Sequence, residues 1–154
     1  MKHGKLKVVS PPADVDEPGR YVLDEQLGFL MRVAMQRHTS IFTASMIEDL
    51  TQTQFAAMAK LYEFGPCSQN HLGRLVFLDA ATIKGVVDRL GARGFVTALA
   101  DSKDRRRRAV ALTDRGRKVT QAAMVVAAGI TAATLAPLTK EERRTLVRLL
   151  NKLG

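Results

Sequence analysis

Residues 68–113 have the sequence SQNHLGRLVFLDAATIKGVVDRLGARGFVTALADSKDRRRRAVALT. Ser68 and Asp79 are residues that favour the N-cap position of a helix, and each precedes a run with helical spacing of apolar residues. Gly94 ends the second of these runs. Two short β-type runs follow, at 95–100 and 109–112. The stretch therefore predicts two helices joined by a tight turn, followed by a two-stranded ribbon.

The second predicted helix has two contrasting faces. Its apolar residues recur at i, i+3, i+4 and i+7 and are Ile83, Val86, Val87 and Leu90. The opposite face consists of Ala81, Lys84, Gly85 and Asp88. A glycine inside a helix costs about 1 kcal/mol relative to alanine, so Gly85 indicates a need for close approach. The alternative is an ordinary amphipathic helix that contains a glycine.

The ribbon carries a run of basic residues at its tip. The tip comprises residues 101–108, DSKDRRRR, and ends in Arg105, Arg106, Arg107 and Arg108. Charge runs are usually solvated surface, which is the alternative interpretation here. Directly after a helix-turn-helix, however, a basic hairpin is suited to the narrow minor groove of DNA. The pattern predicts a winged helix-turn-helix that binds double-stranded DNA.

Composition agrees with a polyanionic partner. The chain has 154 residues, 24 Lys and Arg against 15 Asp and Glu, a net charge of +9 and a pI near 10.2. A basic but inert surface is the alternative. No apolar run approaches the roughly 18 residues that cross a bilayer, so we expect no membrane partner. Cys67 is the single cysteine, which excludes an intrachain disulfide and favours a reducing, cytoplasmic location.

The flanking segments predict the domain organisation. Residues 1–19 are basic and proline-containing and predict a flexible arm, and residues 20–154 form a single domain. We expect a mainly α (α+β) fold. Its DNA-binding lobe spans 48–113, and its long terminal helices, within 20–47 and 114–154, form a dimerisation base. The apolar surface of these helices exceeds what the lobe can cover, which predicts a homodimer.

Several segments resemble one family. Residues 101–116 resemble the wing signature of the MarR family of bacterial regulators, named for multiple antibiotic resistance. The matching positions are Asp104, Arg106, Leu112, Thr113 and Gly116. Residues 82–94 resemble the family's recognition helix, and 50–55 the opening of its second helix. Ser102, where proline is common, and Gly91, where glutamate is frequent, depart from the pattern.

The resemblance implies a function and a set of contacts. It implies a triangular, mostly helical dimer that represses transcription from a palindromic operator. A small aromatic or anionic effector, for which a nicotinate-like acid is one guess, would release the DNA. The DNA-binding residues that it implies are Ser68, Gln69, Ala81, Thr82, Lys84, Gly85, Arg89, Asp104, Arg105, Arg106, Arg107 and Arg108. Lys84 would contact the major groove, and Arg106, oriented by Asp104, would enter the minor groove.

Other candidate sites have weaker support. His38 on the first long helix and Arg20 at its entrance are candidate effector ligands, although a core histidine and a solvated arginine are the simpler interpretations. Cys67 precedes a helix N-terminus, which favours a thiolate, but it has no partner for redox sensing. The spacing of His, Cys and carboxylates indicates no metal site, cofactor or enzymatic centre. A ligand-independent architectural DNA-binding protein is the alternative function.

Overall fold

The computed structural model describes residues 21–100 and 108–154. Within these residues the chain is mainly helical with one small sheet, which confirms the predicted fold class. The helices are α1 (Leu27–Ser45), α2 (Gln52–Phe64), α3 (Gln69–Leu75), α4 (Ala80–Ala92), α5 (Asp114–Thr134) and α6 (Lys140–Leu153). The strands are β1 (Cys67–Ser68), β2 (Val96–Ala100) and β3 (Arg108–Leu112). Each of these helices is too short or too polar to cross a membrane.

The chain divides into two compact units, one ending at Ala34 and the other extending from Met35 to Gly154. In the first, the backbone forms a 3-10 turn at Leu23–Glu25, closed by a 3.0 Å bond from Gln26 Nε2 to the Val22 carbonyl. Gln26 is extended, so the 3-10 turn does not run on into α1, which begins at Leu27. The exposed apolar side chains of this unit are Tyr21, Leu23, Leu27, Leu30, Met31 and Val33.

The second unit contains the hydrophobic core. Each helix from α2 to α4 contributes the apolar face that its spacing predicts. The largest fully buried side chains are Met58, Leu61, Leu72, Ile83, Val86, Leu90, Phe95 and Thr120. Burying a large apolar side chain contributes about 1.5–3 kcal/mol, so the apolar members of this cluster are a major source of stability for the unit. A capping box between Thr51 and Gln54 opens α2, and Gly65, with φ +79°, follows its last turn.

Helix α5 buries only part of its alanine-rich surface. Ala122 and Ala133 are exposed. Thr120 is fully buried instead, because its Oγ1 donates to the Gly116 carbonyl at 2.7 Å and so satisfies its polar group within the helix. The buried stripe is therefore narrower than the alanine-rich sequence suggests.

The wing belongs to a three-stranded antiparallel sheet with the order β1-β3-β2. Strands β2 and β3 pair from Val96 with Leu112 to Ala100 with Arg108. The predicted two-stranded ribbon was incomplete, because β1 also pairs with β3, with Ser68 opposite Ala109. A strand of two residues has too few positions to show alternation, so its sequence gives no signal. This pairing fixes the start of α3 to the base of the wing.

Candidate nucleic-acid interface

The outward face of α4 is the predicted recognition surface, and its predicted side chains are on the surface. Ala81, Thr82 and Lys84 are exposed. Asp79 caps the helix by accepting the Thr82 amide hydrogen at 2.7 Å, and this bond lowers the pKa of the Asp79 carboxyl. Lys84 Nζ pairs with Asp88 at 2.6 Å, and both side chains are more than half exposed. Exposed pairs of this kind contribute at most about 1 kcal/mol, so Lys84 can exchange Asp88 for DNA at little cost.

Gly85 has a neighbour that sequence reasoning missed. A Cβ built at Gly85 would lie 3.2 Å from Nη1 of Arg89, one helical turn further on. The glycine therefore makes room for the Arg89 guanidinium to lie back along α4. Direct approach of the Gly85 backbone to DNA stays a prediction.

A cavity of about 450 Å³ lies at the base of the wing. Its lining residues are Ser68, Asn70, Arg74 and Arg108. The pairing of β1 with β3 brings Ser68 and Arg108 together, although 40 residues separate them in the sequence. Asn70 and Arg74 were not predicted. The available signal was their i, i+4 spacing, which places both on the same side of α3.

The remaining predicted DNA contacts are either partly buried or outside the described residues. Gln69, at the start of α3, is half-buried. Asp104, Arg105, Arg106 and Arg107 lie outside the described residues, as do Arg20 and the predicted arm at 1–19. Their proposed roles therefore rest on the sequence.

The exit of α4 is joined to the start of α5 through Phe95. Thr113 Oγ1 donates to the Gly94 carbonyl at 2.7 Å, and the Thr113 amide donates to the Phe95 carbonyl at 3.0 Å. A Cβ at Gly116 would lie 1.9 Å from that same Phe95 oxygen. Glycine at position 116 is thus required for α5 to pack against the strand that begins the wing.

Two arginines and a glutamate reinforce this junction. The guanidinium carbons of Arg93 and Arg115 lie 4.6 and 4.9 Å from the ring centroid of buried Phe95. The Glu48 carboxylate lies 3.5 Å from Arg93 and 3.9 Å from Arg115. Glu48 has φ 54°, and its carbonyl accepts a further bond from Arg93. The turn before α2 is therefore tied to the end of α4, an arrangement that sequence spacing does not indicate.

His38 is anchored to the end of α5. Its Nδ1 lies 2.9 Å from Thr134 Oγ1, which itself donates to the Ile130 carbonyl. A hydroxyl has one hydrogen, so the His38 ring donates from Nδ1 and, when neutral, presents Nε2 as an acceptor. The neighbouring Arg37 donates to the Ala133 carbonyl at 3.2 Å.

Cys67 does not have the environment that the sequence predicted. It lies in β1 opposite Val110, and burial raises the pKa of its thiol. The expected stabilisation of a thiolate by the following helix is therefore wrong, since desolvation disfavours the charged form. Among residues 21–100 and 108–154, no cluster of His, Cys and carboxylates could hold a metal ion.

Known proteins share both the sequence and this geometry. Residues 50–107 match the model of the MarR family. The transcriptional repressor NicR of Pseudomonas putida is 38% identical over 86% of this chain and 85% of its own. A probable transcriptional regulator from Pseudomonas aeruginosa superimposes with a TM-score of 0.84 and 47% identity, over 86% of this chain and 100% of that one. Bordetella bronchiseptica BpsR, whose DNA binding is regulated by 6-hydroxynicotinic acid, gives 0.82 and 37%, over 88% and 97%.

Proposed function

Since the chain belongs to the MarR family of transcriptional regulators, we propose that it is a repressor whose homodimer binds a palindromic operator. A small aromatic acid releases the DNA. The observation that carries the proposal is the shared surface of α4 and the wing base. There, the exposed small and basic face of α4 and the arginine-lined cavity lie on one compact lobe.

DNA contact divides between this helix and the wing. Lys84 lies where one donor reaches a guanine edge or a phosphate in the major groove. The wing arginines supply positive charge to the minor groove, whose width and A·T content they sense rather than its full base pattern. Arg106→Ala should therefore weaken binding to all duplexes, whereas a change at Lys84 should act selectively at the operator.

The homodimer is supported by the exposed apolar side chains of the terminal segments. In α6, Leu146, Leu149, Leu150 and Leu153 are 36–66% exposed. In the first unit, apolar side chains from Tyr21 to Val33 are also exposed. Large exposed apolar patches mark interaction sites, and a second copy covers the same patches on both chains. A two-fold dimer of this kind can present its two copies of α4 to successive major grooves on one side of the DNA.

The proposed effector is an aromatic acid related to the 6-hydroxynicotinic acid that regulates BpsR. His38 fits such a ligand, because Nε2 of its neutral ring can accept a hydrogen bond from a ring hydroxyl or N–H. A second cavity, of about 480 Å³, lies beside Phe42, Met46 and Leu50. Among the described residues that line it, Asp49 is the only ionisable one and repels a carboxylate, so this cavity is the poorer site for the effector.

Release of DNA by effector tests the proposal. An aromatic acid at about 100 times its dissociation constant should raise the free energy of unfolding by about 2.7 kcal/mol, and it should release a fluorescent operator duplex. His38→Asn keeps an amide donor near the Nδ1 position for Thr134 but removes Nε2. This variant should bind DNA like the parent and need at least about tenfold more acid for release, a loss of about 1.4 kcal/mol.

His38→Gln is the matched control, because its amide oxygen keeps an acceptor near Nε2 while the bond to Thr134 is removed. If His38→Asn responds to the acid like the parent, the histidine is structural and the effector assignment is wrong. If no aromatic acid in the series releases DNA or stabilises the protein, the ligand-independent architectural function replaces the regulatory one.

A further inference from the structure

We propose that Arg74 of α3 and Arg108 of β3 together bind one phosphate of the DNA. This phosphate belongs to the backbone strand that separates the major groove from the adjacent minor groove. Arg74 lines two cavities. It shares one with Ser68, Asn70 and Arg108 at the base of the wing. It shares the other, of about 280 Å³, with Ala80 and Ile83 at the start of α4.

Arg74 lies where the backbone of a bound DNA duplex would cross the protein surface. The major groove and the adjacent minor groove are separated by one sugar-phosphate backbone. A protein that places α4 in one groove and its wing in the next must carry that backbone across the surface between them. The two cavities bordered by Arg74 extend from the first residue of α4 to the first residue of β3, which directly follows the wing tip. Arg74 therefore lies on the path of the backbone.

The hydrogen-bonding capacity of the site suits a phosphate. Arg74 Nη2 lies 3.4 Å from His71 Nδ1, which engages one of its five donors. No carboxylate of residues 21–100 and 108–154 lies within ion-pair distance of Arg74 or Arg108. With respect to the described residues, both guanidinium groups therefore have paired N–H donors available for phosphate oxygens.

Two neutral side chains complete the site. The Ser68 hydroxyl accepts the His71 amide hydrogen at 3.2 Å and keeps its own hydrogen to donate. Asn70 contributes a side-chain amide to the same cavity. Hydroxyl and amide groups are common donors to DNA phosphates, and such contacts set the register of the protein without selecting a sequence.

This inference rests on the proposed DNA-binding function, and a salt titration separates the two. Binding of Arg74→Gln is measured by fluorescence anisotropy on an operator duplex and on a scrambled duplex. The expected loss is about tenfold and equal on both, and the slope of log K against log salt should fall by about one. Lys118→Gln removes the same charge from the exposed side of α5 and is the matched control. It should leave the slope within experimental error of the parent's.

A neutral phosphate analogue locates the contact. One methylphosphonate is moved stepwise along the operator, and the parent should lose affinity at a position between the two protected grooves. Arg74→Gln should lose less affinity there than the parent, because only Arg108 still contributes a charge to that phosphate. Arg74→Lys keeps the charge without the paired donors, so it should bind with intermediate affinity. Thermal melts confirm that each variant is folded; if Arg74→Gln is not, Arg74→Lys and the methylphosphonate scan decide the matter.

Three outcomes would overturn the inference. Arg74→Gln could behave like Lys118→Gln, or it could weaken the operator alone, which would make Arg74 a base contact. Alternatively, inorganic phosphate could stabilise the parent but not Arg74→Gln while DNA binding is equal, which would indicate a site for a free anion. In each case the DNA-binding function would stand. A parent that binds neither duplex would instead contradict the proposed function itself.

Discussion

The lobe from α2 to β3 and the terminal helix α6 begin with the same local signal and end in opposite environments. Helix α2 opens with a capping box at Thr51 and α6 with one at Thr139. Met58 and Leu61 of α2 are 0 and 2% exposed, whereas in α6 only Arg143 is even half-buried. A capping box sets where a helix begins but not what covers it. The cover for α2 lies in its own chain, and for α6 we propose that a second copy of the chain supplies it.

The largest expected effect is on α6. Leu149→Glu places a charge in the proposed interface and removes apolar burial from both copies. The dimer should weaken at least about a hundredfold, or about 3 kcal/mol, measured by sedimentation at micromolar concentration. Asn151→Glu adds the same charge two residues away and should leave the dimer intact. A parent that sediments as a monomer would remove the contrast between the two regions.

The next effect is inside the lobe. Gly116→Ala should lower the free energy of unfolding by about 2–3 kcal/mol, because its Cβ would overlap the backbone oxygen of Phe95. Gly129→Ala, in the same helix, has open space within 4 Å and should stabilise the protein by up to about 1 kcal/mol. Both are measured by urea denaturation at one protein concentration. Equal effects of the two substitutions would mean that α5 does not pack on Phe95 as described.

A smaller effect on DNA affinity should distinguish a charge on α4 from a charge on α6. Asp88→Asn frees Lys84 and removes a negative charge from the recognition face, so DNA affinity should rise up to about fivefold, or 1 kcal/mol. Glu141→Gln removes the same charge from α6 and should change the affinity much less. The comparison is made at low salt on one duplex. If the two variants gain equally, net charge rather than the α4 face controls binding.

The smallest expected effect is the loss of a carboxylate cap, which should change stability similarly in both regions. Hydrogen bonds from Thr82 lower the pKa of Asp79, and bonds from Thr139 lower that of Glu142. A lowered pKa contributes stability above the ordinary carboxyl pKa, and this contribution is lost as pH falls through the folded value. The free energies of unfolding of Asp79→Asn and Glu142→Gln should therefore fall furthest below that of the parent near neutral pH, as measured by urea denaturation across a pH series. Differences from the parent that grow in acid would contradict both caps.

Local signals in the sequence predicted the elements better than their environment. The predicted caps at Ser68 and Asp79 are confirmed, since each depends on residues within one turn. Thr113 and Thr139 cap α5 and α6 in the same way. The lobe's apolar faces followed from helical spacing. The third strand, Arg74 beside Arg108, and Glu48 beside Arg93 depend on pairings between distant segments, for which one sequence has no periodic signal. The prediction of a stabilised thiolate at Cys67 was wrong for the same reason. Burial in the strand paired with β3 raises the pKa of the thiol more than the following helix lowers it.

Selection of bound sequences from a pool of random duplexes tests the central claim most directly, namely that two copies of the lobe, joined through α6, bind DNA as a symmetric pair. The parent should enrich a palindrome whose half-site centres lie one helical turn, about 10 base pairs, apart. Leu149→Glu should enrich at most a single half-site. Enrichment of no sequence by the parent, or of the same palindrome by a monomeric Leu149→Glu, would contradict the claim.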